Sequence, residues 1–148
     1  MKNNETKKLN NKGFSLVELI IVIAIMAVLV GVLAPQYLKY VEKSRESADL
    51  DNYRAIISAV QVYYTDPANT LTADDYTITF GTDGKVTATT APGIETALND
   101  AGITTDGLTM KSKAYKTATL TLTVTAAGEY KLKTSVDALN EALGLNVP

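Results

Sequence analysis

The sequence contains no cysteine, no histidine and no tryptophan, and only two phenylalanines and four prolines among 148 residues. Without cysteine there is no disulfide, no thiolate nucleophile and no Cys-based zinc site. Without histidine there is no Ser-His-Asp triad and no imidazole general acid or base. An excess of positive charge is also lacking, since 14 basic and 16 acidic residues give a formal net charge of −2. Binding to nucleic-acid phosphates needs a basic surface, so that partner is not expected. No arrangement of the remaining polar residues makes a catalytic constellation, so the chain is not expected to be an enzyme or to need a cofactor. Asp66, Asp74 and Asp75 could offer oxygens to a hard cation such as Ca²⁺. They lack the regular spacing of a ligand set and fit loop solvation and turn capping instead, so no metal site is assigned.

What is present is unevenly distributed. Residues 1–13 (MKNNETKKLNNKG) carry Lys2, Lys7, Lys8 and Lys12 against Glu5 and show no apolar periodicity. Residues 14–34 (FSLVELIIVIAIMAVLVGVLA) then form a 21-residue run whose only strongly polar members are Ser15 and Glu18. As a helix this run is about 31 Å long, which matches a bilayer core of roughly 30 Å. In lipid the backbone must satisfy its own hydrogen bonds, so one isolated span must be helical. The basic segment precedes the run and mixed charge follows it (Lys39, Glu42, Lys43, Arg45, Glu46). The positive-inside rule therefore places residues 1–13 in the cytoplasm and the rest outside. A cleaved secretory signal fits poorly, because Pro35 directly follows the small-residue site at 32–34 and Glu18 interrupts the apolar region. A buried helix of a soluble protein fits poorly too, because the rest of the chain is too polar to wrap it. A plain single-span anchor explains the run but not Glu18. A carboxylate in an apolar span costs on the order of 2.5–3.5 kcal/mol, so it calls for a function. Ser15-Leu16-Val17-Glu18 also fits an S-x-x-E capping box, in which Glu18 serves a backbone N–H at a helix start.

Residues 36–64 carry Tyr53, Ile56, Ile57, Val60, Tyr63 and Tyr64 at helical spacing, with Lys39, Glu42, Lys43, Glu46 and Asp49 expected on the opposite, solvated side. Tyr37 and Tyr40 sit where interfacial aromatics are common. Asp66-Pro67 ends the pattern. Of 20 threonines, 19 lie at or after Thr65, and threonine favours half-exposed strands. The spacing predicts a hairpin from 76–80 and 85–89 around Gly81-Thr82-Asp83-Gly84, and further strands at 108–113, 118–125 and 129–134. Short helices are expected at 92–101, stopped by Gly102, and at 135–143, capped by Ser135 and stopped by Gly144. The expected class is α+β: a long N-terminal helix, membrane-spanning in its first half, packed by its second half on a small antiparallel sheet. The expected divisions are 1–13, 14–35, 36–65 and 66–148.

The segment Lys12-Gly13-Phe14-Ser15-Leu16-Val17-Glu18-Leu19 resembles the prepilin signal of type IV pilins and type II secretion pseudopilins. The family pattern is a short basic leader ending in Gly, then Phe, Thr/Ser-Leu-x-Glu and a long apolar helix, and each position is matched here. The resemblance is strong over 12–40 and weak beyond about residue 64. It implies the pilin fold. It implies cleavage between Gly13 and Phe14 by a prepilin peptidase on the cytoplasmic side, with N-methylation of Phe14. It implies that Glu18 serves subunit assembly through the new amine of a neighbouring Phe14. Gly31 and Pro35 match the region where filament helices unwind, although a simple kink or membrane exit explains Pro35 equally well. The implied partners are further copies of the chain, the cytoplasmic membrane, the peptidase/methylase, an assembly platform with its ATPase, and minor pilins. The implied destination is a surface filament acting in motility, adhesion or aggregation. A pseudopilin of a secretion or DNA-uptake machine and a non-polymerising single-span surface protein are the alternatives. Many pilins close a C-terminal loop with a disulfide, which this chain cannot form.

Overall fold

The computed structural model of the chain describes residues 13–69, 72–90, 93–104 and 107–145. The leader to Lys12, and Pro92 at the expected start of a short helix, lie outside the described residues. The elements are α1 (Leu16–Thr65), β1 (Asp75–Phe80), β2 (Val86–Thr89), α2 (Ile94–Asp100), β3 (Leu120–Val124), β4 (Tyr130–Thr134) and α3 (Asp137–Leu143). The chain divides into two units, one ending at Lys39 and one beginning at Tyr40. In the first, every large apolar side chain from Phe14 to Leu38 is more than 50% exposed.

The second unit is built on the C-terminal part of α1. Tyr53, Ile56, Ala59 and Val60 are buried and recur at spacings of three, four and seven, which puts them on one stripe. The stripe packs against an antiparallel sheet of order β2-β1-β3-β4. The α+β architecture read from the sequence is thus the observed one. In β3, Leu120, Leu122 and Val124 face the core while Thr121 and Thr123 face outward, the alternation of a strand covered on one side. In β1, Tyr76, Ile78 and Phe80 face inward in the same way, and Phe80 meets the Tyr53 ring edge-on with centroids 5.3 Å apart. The Tyr53 hydroxyl lies 3.0 Å from the carbonyls of both Tyr115 and Ala118, which fixes the approach to β3. The helix ends where expected: Asp66 Oδ1 accepts the N–H of Ala68, an Asx turn that closes the last turn before Pro67.

Three expectations are corrected. Residues 108–113 do not form a strand. Leu108, Met110 and Ser112 alternate inward as a strand would, but the backbone donors go elsewhere. Met110 N–H bonds to Gly84 O at 2.9 Å. Lys111 N–H bonds to Asp49 (2.8 Å to Oδ1, 3.1 Å to Oδ2), and Ser112 N–H bonds to Asp49 Oδ2 at 2.7 Å. Lys113 N–H bonds to Glu42 Oε1. Carboxylates of α1 therefore take the place of a neighbouring strand. For the same reason Asp49 does not lie on the solvated side of α1. It is 0% exposed, and its spacing from Tyr53 and Ile56 places it on the buried stripe. Ser135 does not cap α3 either. The N-cap is Val136, without a side-chain hydrogen bond, and Ser135 Oγ accepts the N–H of Thr119 instead. The work at that end is done by buried Asn140, whose Oδ1 accepts Thr134 N–H at 2.6 Å and whose Nδ2 donates to Thr134 O at 3.0 Å.

Gly84 shows why the β1–β2 turn needs its glycine. Its φ is 78°, and a Cβ there would lie 2.0 Å from Met110 O. A side chain would both strain the backbone and break the contact that docks the 108–113 segment. Gly144 closes α3 in the left-handed conformation, as its position predicted.

Candidate processing and assembly site

Residues 13–15 lead into α1 without regular structure. A Cβ at Gly13 would meet nothing within 4 Å, and Phe14 is 92% exposed. The peptide bond between them is open to a large partner. Ser15 occupies the cap position, because its carbonyl accepts the N–H of Leu19 at 3.2 Å. Its own N–H donates to Glu18 Oε2 at 2.8 Å. This is the glutamate half of the capping box, and it satisfies a donor that the helix start leaves free. Glu18 also lies in the first turn, where the helix dipole favours negative charge. Its second carboxylate oxygen has no partner among the described residues, so the acid retains a site for a cation.

The run behind this acid is one helix long and apolar enough to cross a membrane. The 13 Leu, Ile and Val residues at positions 16–33 together favour insertion by about 4–8 kcal/mol at 0.3–0.6 kcal/mol each. That exceeds the roughly 2.5–3.5 kcal/mol cost of a carboxylate at the helix centre, and Glu18 sits near the end where the cost is lower. Insertion therefore wins with the acid in place.

α1 is continuous through Gly31 and Pro35. The two are four residues apart, so Pro35 lacks the N–H that would bond to the Gly31 carbonyl. The helix thus carries one missing hydrogen bond and one glycine within the same turn, a local minimum of helical stability. Asp66, Asp74 and Asp75 are not drawn together. Asp66 serves Ala68 N–H and Asp74 serves Asp75 N–H at 2.8 Å, and no group of three or more acidic residues gathers among the described residues.

One comparison with known proteins falls on this segment, and others extend beyond it. The family model described as the prokaryotic N-terminal methylation motif matches residues 8–34. The type IV major pilin protein PilA of Myxococcus xanthus is 32% identical over 56 residues, covering 38% of this chain and 26% of that protein. The prepilin peptidase-dependent protein A of Clostridium perfringens is 34% identical over 67 residues, covering 45% of this chain and 48% of that protein. The chain thus aligns with less than half the length of either relative. The type IV major fimbrial protein FimA of Dichelobacter nodosus is 29% identical over 151 aligned positions, covering 90% of this chain and 94% of that protein. No solved structure matches the chain.

Proposed function

We infer that this chain is a type IV pilin, the structural subunit of a type IV pilus, and not an enzyme; its likeness to the N-terminal methylation motif and to pilin and fimbrial proteins supports the reading. One observation carries the reading. A single segment joins an open Gly13–Phe14 bond, an acid with a spare oxygen at Glu18, and a helix whose large apolar side chains are all exposed. The precursor sits in the cytoplasmic membrane with its N-terminus inside. A prepilin peptidase cuts after Gly13 and the new Phe14 amine is methylated. Cleavage removes four lysines and one glutamate, leaving 10 basic and 15 acidic residues and a net charge of −5.

Assembly follows from the two needs of the helix. Outside lipid, its apolar side chains must be covered, and helices of further copies can cover them. Inside such a bundle the Glu18 carboxylate would be a buried charge, which is costly unless paired. The amine at Phe14 of a neighbouring subunit supplies the cation. A stagger that leaves either charge alone costs about 3–5 kcal/mol, so the pair sets the axial register. The weak turn at Gly31 and Pro35 is where the helix would unwind when the fibre is packed or stretched. An assembly platform, its ATPase and minor pilins are the further partners, and surface motility, adhesion or aggregation is the use.

Gly13→Arg tests the first step. The variant is expected to accumulate at the precursor mass in the membrane, with no chain beginning at Phe14 by mass spectrometry. Normal cleavage of that variant would remove the leader assignment.

A further inference from the structure

Six of the ten basic residues after Gly13 fall in two short stretches, Lys39–Arg45 and Lys111–Lys116. The second stretch is held against the first part of α1 within the unit that begins at Tyr40. Its lowest backbone donor, Lys113 N–H, bonds to Glu42, two residues into that unit, and the Lys111 and Ser112 donors bond to Asp49. Lys116 N–H closes back onto Ser112 O at 3.1 Å, so 112–116 is one compact turn. Lys111 and Lys113 are exposed, Lys116 half so, and none of the three side chains has an ion-pair partner among the described residues. The acids of α1 that bond to this stretch are Glu42 and Asp49, with Glu46 between them in the sequence. Glu42 serves Lys113 N–H and lies 3.7 Å from Arg45, while Asp49 is buried under two backbone donors. Much of the local negative charge is thereby spent, and the lysine ammonium groups face outward in a chain that is otherwise acidic.

Position gives this patch a partner. In the sequence Glu42 follows the last residue of the apolar run, Ala34, by only eight residues, so the chain itself tethers this patch within about 30 Å of the end of that run. A lysine side chain reaches several ångströms further, and the headgroup layer extends the bilayer from about 30 to about 40–45 Å in total thickness. We propose that the 111–116 turn rests on anionic phospholipid headgroups of the membrane that holds the apolar helix, with Lys111, Lys113 and Lys116 as the contacts. The inference depends on the membrane-anchored reading above. The contact orients the unit from Tyr40 onward at the membrane surface before assembly and is given up when the subunit leaves the bilayer. Because the carboxylates of α1 hold the backbone of this turn and not its lysines, the lysines are free to serve lipid.

The chain lacks cysteine, so single-cysteine labelling tests this directly. The full chain carrying Ala114→Cys, labelled with a bimane fluorophore, is reconstituted into vesicles of phosphatidylcholine alone or mixed equally with phosphatidylglycerol. A headgroup-spin-labelled lipid serves as quencher. A label at Ala127→Cys, in the β3–β4 turn near the far end of the sheet, is the control. The label at 114 is expected to be quenched strongly only with phosphatidylglycerol, and to lose that quenching at high salt. The control should stay unquenched. Each lysine-to-glutamine change at 111, 113 or 116 should weaken the anionic preference about five-fold, and the triple variant should abolish it. If the chain floats with both vesicles but quenching at 114 ignores lipid charge or survives the triple variant, the headgroup contact is wrong while anchoring stands. If the 114 label is instead shielded only as protein density rises in neutral vesicles, a second copy covers the turn and the lipid assignment falls. If the chain floats with neither vesicle, the anchored reading fails and this inference fails with it.

Discussion

Between Phe14 and Leu38 the large apolar side chains are exposed, and Glu18, the only acid there, takes one backbone N–H. From Tyr40 onward the apolar side chains gather into a core, and Asp49, an acid on the same helix, is fully buried under the donors of Lys111 and Ser112. One unit finishes its own interactions and the other leaves them open. A helix that exposes an apolar surface all round and keeps one acid with a spare oxygen needs lipid or other copies of itself. A unit that matches each buried acid to backbone donors holds its shape without outside help. The two carboxylates therefore do different work, and changing them should break different properties.

Glu18→Val should have the largest effect on function. It should insert at least as readily, leave the unit from Tyr40 unchanged, and yet give almost no fibres as the sole subunit. Sheared-fibre yield beside the membrane level of the chain measures this, and abundant fibres would refute the register role of the acid. Asp49→Ala should do the reverse. It leaves the buried Ser112 N–H and the part-buried Lys111 N–H without their partner, at about 1–3 kcal/mol for the buried one and less for the other, so the folded unit should lose about 3 kcal/mol. That loss corresponds to a melting shift of more than about 10 °C for a unit of this size. Thermal melting followed by tyrosine circular dichroism of residues 36–148, which should be soluble alone, reads the shift. An unchanged Tm would show that the Asp49 contacts are dispensable and would dissolve the contrast.

The smallest effect is alkaline. Burial, and then the negative charge of Asp49, push the Tyr53 hydroxyl well above its usual pKa. Burial, then the neighbouring Tyr63 and Tyr76, push Tyr64 up to about 12. Tyrosine is charged in its deprotonated form, so the folded unit holds these protons longer than the unfolded chain does. The stability they contribute is complete below the unfolded pKa of about 10 and is lost as pH rises toward the folded values. Melting temperature should thus fall between pH 10 and 12, and Tyr53→Phe should flatten part of that fall. A slope identical to the parent's would exclude Tyr53 as a source.

Much of the fold was legible in the sequence because its signals are local. The alternation at Leu120, Leu122 and Val124, the Gly81–Gly84 turn, the helix stop at Asp66 and the Gly144 cap each rest on neighbouring residues. The candidate site proposed above rests on equally local signals, since Gly13, Phe14 and Glu18 lie within six residues. What was missed is long-range. The 108–113 segment has the alternation of a strand, and nothing within it reveals that its donors go to acids more than sixty residues earlier. Asp49 was assigned to solvent because it is charged, although its spacing from Tyr53 and Ile56 already placed it inward. Asn140 had no local signal at all, because its role is to complete the end of β4.

The most direct measurement is electron microscopy of fibres sheared from cells that make this chain, with N-terminal sequencing of their main component. Fibres whose main subunit begins at a methylated Phe14 are the result expected. Fibres built from another protein, with this chain left in the membrane still beginning at Met1, would contradict the central reading.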